Sequence, residues 1–367
     1  MYHQRPQRPL PDPYSYTLTQ PSKTELGIIT KKILENINKE VASATGLNLW
    51  RKNDEPISWF TNLDKKQNLK FLIFDIVDYY PSISEDLLLK ALSWAKQFCD
   101  IQESDLKCIM EARANFLFYN KDGSDMNVFV KKNQTKNFDI PQGSYDSAEC
   151  CELCGLFLLN ELTTIVPKDA MGLYRDDGLI AVDLPGPEMD KLRKRLHDLF
   201  KSYGLKTKAI GNIPQANYLD LTFDLAHDTY RPYRKPNDKP CYVHAQSNHP
   251  PACLKAVPEN INHRLSKLSS NQEIFNEEAP MYQNALEKSG HSFKLEYKKV
   301  DTKKKKRKRH RRVLWFNPPY SAHVTTQVGK RFFAILDSCF PKGHKLSKLF
   351  NHTTIKLSFS TVKNMHA

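Results

Sequence analysis

The chain has 367 residues, of which 40% are hydrophobic and 11% aromatic, and its formal net charge is +14. This composition excludes a disordered chain and provides enough apolar surface for one large domain or two smaller ones. The sequence has no apolar run long enough to cross a bilayer and no signal-peptide core near its start. We therefore expect a soluble intracellular protein without a membrane partner, in which the eight cysteines are reduced.

The positive charge is concentrated in one short run. Residues 303–312 contain nine Lys or Arg, and the rest of the chain is only mildly basic. This balance favours a polyanionic partner such as nucleic acid, with a solvated tail and a nuclear import signal as open alternatives. We accordingly expect a nuclear protein. The candidate nucleic-acid-binding residues of this run are Lys303, Lys304, Lys305, Lys306, Arg307, Lys308, Arg309, Arg311 and Arg312.

The first part of the chain predicts an irregular, proline-rich lead-in over 1–20 and then a helix that begins after Ser22 and ends at Gly46. The apolar run 69–80 predicts a buried strand. Asp75 interrupts this run directly after four apolar residues. Such a carboxylate is either a strand-end cap or a functional group, and the strand pattern alone leaves both open.

The next segment predicts two helices and a polar hairpin. Ser82 and Glu85 have the spacing of a capping box and would open the first helix. The second helix is predicted over 104–118, and Asp122-Gly123 marks the hairpin that follows.

A loop over 138–147, with the sequence FDIPQGSYDS, precedes a predicted helix over 148–162. Three cysteines, Cys150, Cys151 and Cys154, lie within this helix. Core packing is favoured over a zinc site because no second pair of metal ligands is near.

The segment 171–182, MGLYRDDGLIAV, predicts two short strands that meet at a turn. In one interpretation Asp177-Gly178 only closes a tight hairpin. In the other, rigid strands hold Asp176 and Asp177 side by side to bind divalent cations. With Asp75 about a hundred residues earlier, the three carboxylates match the ligands that two-metal phosphoryl transfer requires.

A helix from Gly186 to Gly204 is predicted next, followed by strands over 205–209 and 218–225. The order of strand, helices, hairpin, helix and strands predicts an α+β sheet with helices packed on one face.

Basic and aromatic residues alternate after position 229, where Arg231, Arg234 and Lys235 are interspersed with tyrosines. Such a mixture can contact a phosphate backbone and stack on bases, while a loop wrapped around the body is an open alternative. Helical structure is predicted over 255–290. Before it lie residues with approximate zinc-knuckle spacing, but the prolines at 250 and 251 disfavour a metal site. These residues are Cys241, His244, His249 and Cys253.

Three stretches, FDIVDYYPSI, IPQGS and YRDDG, resemble in this order the A, B and C motifs of reverse transcriptases. The stretch RPYRKPNDKPCYVHAQSNHPP and the ending LFNHTTIKLSFSTVKNM are similar to polymerases of Penelope-like and related eukaryotic retroelements. The resemblance covers residues 20–365. It implies an α+β fold of the right-hand polymerase type, with an antiparallel-sheet palm, partial fingers and a helical thumb.

The implied domains follow the chain in order. They are an irregular lead-in over 1–20, partial fingers over 21–68, a palm over 69–225, a basic connection and helical thumb over 226–295, a polybasic linker over 296–313 and a nucleic-acid-binding segment over 314–367.

The resemblance implies a nucleotidyltransferase, an RNA-directed DNA polymerase that extends a DNA primer on an RNA template with deoxynucleoside triphosphates. Asp75, Asp176 and Asp177 would be catalytic and would hold two Mg²⁺ or Mn²⁺ ions, with the backbone carbonyl of Ile76 as a further ligand. The implied nucleotide-binding residues are Tyr80 as a steric gate, Gln142 and Gly143 in the loop, and Lys206 or Lys208 beside the departing pyrophosphate.

One departure from the family concerns the fingers, because only 74 residues precede Asp75. Lys23, Lys31, Lys32, Arg51 and Lys52 are candidates for gripping the triphosphate. A catalytically inactive, truncated or domesticated nucleic-acid-binding protein is therefore the alternative hypothesis. An RNA-templated RNA polymerase is a further enzyme alternative.

Overall fold

The computed structural model describes residues 25–114, 118–119, 126–127, 138–141, 143–299, 313–324 and 326–361. Residues up to Asp228 belong to one compact unit and residues from Thr229 belong to a second. The predicted lead-in, Gln142 and the basic run 303–312 lie outside the described residues. Among the helices that are described, none is both long and apolar enough to span a membrane.

The first unit is a mixture of helices and antiparallel strands. Its helices are α1 (Glu25–Thr45), α2 (Asp54–Thr61), α3 (Tyr79–Ser82), α4 (Glu85–Ala95), α5 (Glu103–Ala114), α6 (Ser147–Leu162) and α7 (Gly186–Ser202). Its strands are β1 (Lys70–Val77), β2 (Phe118–Tyr119), β3 (Met126–Asn127), β4 (Met171–Tyr174), β5 (Asp177–Val182), β6 (Lys206–Ile213), β7 (Gln215–Tyr218) and β8 (Leu221–Asp224).

The central sheet has the strand order β4-β5-β1-β6, and each neighbouring pair is antiparallel. Strand β1 is central because its apolar residues can be buried on both sides of the sheet. This arrangement confirms the predicted hairpin of β4 and β5 and the predicted antiparallel sheet. The apolar run around Asp75 is therefore a neighbour of the hairpin that carries Asp176 and Asp177.

One face of this sheet packs against the main core. Leu72, Phe74 and Ile76 of β1 are buried there together with apolar residues of α4, α6 and α7. The sequence predicted helices packed on one face of the sheet, but the opposite face is also covered in part. Phe71 contacts Phe60 of α2 on that side, and apolar residues of the β7–β8 hairpin extend the layer. This second layer covers the end of the sheet near Lys70.

Several predicted boundaries are wrong for local reasons. The N-cap of α4 is Ser84, whose hydroxyl accepts a hydrogen bond from the Leu87 backbone N–H at 3.1 Å, because Ser82 belongs to the short helix α3. The segment 218–225 is not one strand. Leu219 adopts a φ of 54° and reverses the chain between β7 and β8. The predicted last residue of helix α5, Phe118, belongs to strand β2.

The three cysteines of α6 are fully buried in the core, as predicted. The Tyr79 hydroxyl donates a hydrogen bond to the Cys151 carbonyl at 2.9 Å, which fixes α3 on α6. Burial raises the pKa of Cys150 to about 12, so its thiol stays protonated. All eight cysteines are free thiols.

The second unit contains a pair of helices and a small C-terminal module. Its elements are β9 (Thr229–Pro232), α8 (Pro251–Leu268), α9 (Gln272–Lys288), β10 (Leu314–Phe316), β11 (Pro319–Tyr320), α10 (Val328–Cys339), β12 (Ile355–Leu357) and β13 (Ser360–Thr361). Helices α8 and α9 enclose a core of their own around Leu265, Phe275, Leu286 and Leu295. We use the name C-terminal module for residues 313–324 with 326–361, where β12 and β13 pair in parallel with β10 and β11.

The residues with approximate zinc-knuckle spacing are not gathered into a cluster of potential ligands in the described structure. Cys241 and Cys253 are exposed, and His249 contacts the hydroxyl of Ser247. Within the described parts of the chain, no group of three or more His, Cys, Asp or Glu side chains is arranged to hold a metal ion.

Candidate active site

A row of charged residues crosses three adjacent strands at one end of the central sheet. Asp75 of β1 lies directly opposite Asp177 of β5 and, on its other side, directly opposite Lys208 of β6. Directly opposite residues of antiparallel strands carry their side chains on the same face, with Cβ atoms roughly 5 Å apart. The register therefore places the side chains of Asp75, Asp177 and Lys208 on one face of the sheet. The rest of that face is covered by the apolar layer that includes Phe60.

Asp176 lies at the tip of the β4–β5 hairpin. Tyr174 pairs with Asp177, so Arg175 and Asp176 form the two-residue turn, and Arg175 has a φ of 55°. The interpretation in which Asp177-Gly178 closes the turn is wrong, because both residues are part of β5. The Asp176 carbonyl accepts a hydrogen bond from the Ile76 backbone N–H at 2.9 Å, which fixes the turn against β1.

Gly178 is required where it stands because an aromatic ring crosses it. A Cβ atom at this position would lie 2.0 Å from the Phe74 ring. The close approach lets Phe74 of β1 pack against β5 while both strands stay in register. The glycine in YRDDG thus supports the position of Asp177 through packing, and it is not a turn residue.

Burial and neighbouring negative charge raise the pKa of Asp75 and of Asp177. Burial is the main cause for Asp177, whose pKa is raised to about 6, and the nearby charges of Asp176 and Asp75 add to it. Burial also raises the pKa of Asp75, with a further contribution from Asp176, while Lys208 acts in the opposite direction. Concentrated negative charge of this kind is stabilised by a bound cation.

The two candidate lysines occupy different places on β6. Lys208 lies opposite Asp75, whereas Lys206 lies opposite Val77 near the end of the strand pair. Both side chains are exposed. Of the two, Lys208 is the lysine that shares a row with the carboxylates and acts electrostatically on Asp75.

Tyr80 and Ile76 flank the same end of the sheet. Tyr80 follows β1 in helix α3 and is half-buried, and burial raises its pKa to about 12. The charges of Arg175 and Asp176 act on its hydroxyl, which locates the ring near the hairpin turn. The side chain of Ile76 is buried in the core, and its backbone is part of the β1 strand between the acidic residues.

The loop before α6 is held by a buried network that the sequence did not indicate. The Arg113 Nη2 atom donates hydrogen bonds to both carboxylate oxygens of Asp146 at 2.5 Å, and both side chains are fully buried. The hydroxyl groups of Thr30 and Ser144 donate to the same carboxylate at 2.5 and 2.9 Å. Asp146 therefore joins α1, α5 and the loop that contains Gly143, whose φ is 111°.

Several other cationic candidates are engaged in ion pairs within their own units. Lys31 contacts Glu149 at 3.1 Å and Arg51 contacts Glu152 at 2.7 Å, and both glutamates lie on α6. Lys32 and Lys52 are exposed, and Lys23 lies outside the described residues.

The basic and aromatic segment after position 229 also makes internal contacts. Arg231 lies 3.3 Å from Glu277, and Arg234 lies 4.0 Å from Glu278 and packs over the Tyr282 ring. Arg231 and Arg234 therefore both contact side chains of α9. Lys235 is exposed.

The donor set fits a magnesium ion in its chemistry. Mg²⁺ is bound in proteins by one or two carboxylates and completes its shell with water and substrate phosphates. Asp75 and Asp177 provide two such carboxylates on adjacent strands, with Asp176 on the turn beside them, although the three side chains do not form a ready-made cluster of metal ligands. Burial is the main cause of the raised pKa values of Asp75 and Asp177, and the negative charge of the neighbouring carboxylates adds to it.

Comparison with known proteins gives one family match and several structural similarities. Residues 241–295 match the family described as the animal helix-turn-helix domain. These residues include α8 and α9, and the Ala245 backbone N–H closes the segment by donating to the Ser289 carbonyl at 2.8 Å. A search of curated proteins finds no match to this chain.

The structural similarities are to polymerases. Apo telomerase from Candida tropicalis aligns at a TM-score of 0.47 and 12% identity, covering 73% of this chain and 52% of the telomerase chain. A form of that telomerase truncated from its C-terminal domain gives 0.43 and 14%, covering 56% and 45%. The RNA-dependent RNA polymerase of a human picobirnavirus gives 0.41 and 12%, covering 55% and 38%. The chain spans about half the length of the solved telomerases that it matches.

Proposed function

We propose that the first unit is the catalytic part of an RNA-directed DNA polymerase of a Penelope-like or related retroelement, with the right-hand polymerase fold. The observation that carries this proposal is the register that sets Asp75 opposite both Asp177 and Lys208. An acidic pair and a lysine in one row suit the transfer of a nucleotidyl group, which needs cation ligands on one side and a cationic group near the departing pyrophosphate.

Each residue of the site has a separate role in this proposal. Asp75 and Asp177 hold the cations with Asp176, and the Ile76 carbonyl is a further ligand. Lys208 stabilises negative charge on the pyrophosphate that leaves. The ring of Tyr80 disfavours a nucleotide with a 2′-hydroxyl, and the backbone at Gly143 approaches the nucleotide closely because no side chain intervenes.

When bound, two Mg²⁺ ions would lower the pKa of the primer 3′-hydroxyl and would stabilise the charge that develops on the leaving group. The protein's own contribution is to fix its ligands before the substrate arrives. The hydrogen bond between the Ile76 N–H and the Asp176 carbonyl holds the turn to β1. The Tyr218 hydroxyl, on β7, donates a hydrogen bond to the Asp177 carbonyl at 2.8 Å and so holds the first residue of β5.

Extension of a DNA primer on an RNA template by the purified chain, with Mg²⁺ or Mn²⁺ and deoxynucleotides, tests the proposal. The double variant Asp176→Asn with Asp177→Asn should reduce incorporation at least about 100-fold, because several kcal/mol of charge stabilisation are lost. Asp183→Asn, an exposed aspartate directly after β5, is the matched control and should retain activity. Equal incorporation by the double variant and the control would refute the mechanism.

A specific observation favours the alternative of a nucleic-acid-binding protein without polymerase activity. Lys31 and Arg51, two of the candidates for gripping the triphosphate, contact glutamates of α6. This alternative predicts salt-sensitive binding to RNA or DNA without incorporation. Incorporation above the level of the carboxylate variant would exclude it.

A further inference from the structure

The C-terminal module presents an exposed tryptophan on an open sheet face. Trp315 lies in β10 and is 65% exposed, whereas the other three tryptophans of the chain, Trp50, Trp59 and Trp94, are at most 8% exposed. An indole exposed to this extent leaves a large apolar surface in contact with water. Trp315 therefore requires an explanation other than packing in this unit.

The two faces of the β10–β12 sheet differ. Phe316 stacks on Phe332 of α10 with ring centroids 4.1 Å apart, and a Cβ atom at Gly329 would lie 2.6 Å from Leu357. Helix α10 thus covers the face to which Phe316 and Leu357 contribute.

Alternation along the strands assigns Trp315 to the opposite face. Its parallel partner there is Lys356, which is also exposed. The Lys356 ammonium group donates to the His352 carbonyl at 2.8 Å, and this contact holds the charge near the strand. The register therefore places an exposed aromatic residue and an exposed lysine as partners on the same face of this sheet.

The charge of the module shows which partner this surface suits. The sequence from Val313 to Thr361 contains six Lys or Arg and one acidic residue, Asp337. Asp337 contacts His352 at 2.9 Å, so its charge is directed to a histidine and not to Lys356. A surface with excess positive charge and a free aromatic ring complements a polyanion whose bases are unpaired, because a duplex keeps its bases stacked inside.

We propose that the outer face of the β10–β12 sheet, formed by Trp315 and Lys356, binds single-stranded nucleic acid. An unpaired base stacks on the Trp315 indole, and the Lys356 ammonium group contacts the adjacent phosphate. This binding is independent of the nucleotidyl transfer proposed for the first unit, because it needs neither the acidic residues nor a divalent cation.

Intrinsic tryptophan fluorescence tests this proposal directly in the full chain, since Trp315 is the exposed member of the four. A short oligothymidylate of about 12 nucleotides, added without divalent cation or nucleotides, should quench the emission with saturation. Trp315→Phe should still bind the same oligonucleotide, because the phenyl ring can stack on a base. Its fluorescence should not be quenched, because the exposed indole is gone. Quenching that is equal or stronger with a duplex of the same length would overturn the assignment to single strands.

Binding measured by anisotropy of a labelled oligothymidylate separates stacking from charge. Trp315→Ala should weaken binding roughly 5- to 150-fold, the range for losing one stacked base. Lys356→Gln should reduce the salt dependence by about 0.7 in the slope of log K against log salt. Ile335→Ala, which removes another exposed apolar side chain from α10, is the matched control and should bind like the wild type.

The same titration in the double variant Asp176→Asn with Asp177→Asn separates this proposal from the proposed polymerase function. Unchanged quenching there, with or without polymerase activity in the wild type, supports the surface. Wild-type affinity in Trp315→Ala, or quenching that depends on protein concentration in the absence of oligonucleotide, contradicts it.

Discussion

The central sheet of the first unit and the C-terminal module each leave one sheet face partly open, but with opposite charge and different support. In the central sheet, Asp75 and Asp177 are held by paired strands, a packed core and hydrogen bonds to neighbouring backbone. In the module, Trp315 and Lys356 stand on strands of three residues that one helix supports. The proposed metal ligands therefore stand on a rigid framework, whereas the proposed nucleic-acid surface stands on a small one.

The buried ion pair between Arg113 and Asp146 gives the largest expected effect on stability. Asp146→Leu should lower the free energy of unfolding by about 3–5 kcal/mol, because the Arg113 guanidinium remains buried without a counterion. Urea unfolding measures this change. The paired variant Arg113→Met with Asp146→Leu should recover most of the loss, since two apolar residues replace both charges.

The exposed pair in the C-terminal module is the matched comparison for that experiment. Asp337→Asn removes the negative charge beside His352, and both side chains are exposed, so the cost should be at most about 1 kcal/mol. An equal decrease in the free energy of unfolding for Asp146→Leu and Asp337→Asn would contradict the expected difference between a buried and an exposed ion pair.

Lys208 provides the next largest effect. Lys208→Ala should slow incorporation roughly 100-fold, because a cationic group beside the leaving pyrophosphate is lost. The variant also loses the attraction that opposes the rise in the Asp75 pKa, so the acidic limb of the pH–rate profile should move to higher pH. Lys206→Ala is the control, and an equal loss there would show that the register does not select between the two lysines.

Tyr80 gives the smallest of these effects. Tyr80→Ala should increase the use of ribonucleotides relative to deoxynucleotides by roughly 10-fold, because the ring no longer occupies the space of the 2′-hydroxyl. Competition between the two nucleotides in single-nucleotide extension measures the ratio. Tyr80→Phe keeps the ring and should keep the wild-type ratio. An unchanged ratio in Tyr80→Ala would show that Tyr80 does not exclude ribonucleotides.

Part of this structure follows from local sequence patterns. The apolar runs of β1, β4 and β5 predicted the strands, and their separation allowed Asp75 and Asp177 to be neighbours. The register that sets these two residues opposite each other depends on the packing of Phe74 across Gly178, which a pattern of hydrophobic residues does not contain. The capping-box spacing at Ser82 was wrong because an unforeseen helical turn, α3, precedes α4.

Other features depend on contacts between residues distant in the sequence. Arg113 and Asp146 are 33 positions apart, and Thr30 is 116 positions from Asp146, so no local pattern relates them. Arg and Asp are also rarely buried, so the sequence alone would place Arg113 and Asp146 at the surface. The exposure of Trp315 was also not foreseen, because an apolar stretch such as LWF does not by itself tell which of its side chains a strand leaves exposed.

The most direct test of the central claim is single-nucleotide extension of a DNA primer on an RNA template by the wild type, Asp75→Asn and Asp183→Asn. The row of Asp75, Asp177 and Lys208 predicts incorporation by the wild type and by Asp183→Asn, and a loss of at least about 100-fold in Asp75→Asn. Incorporation by Asp75→Asn at the wild-type rate would contradict the assignment of this row as the catalytic site.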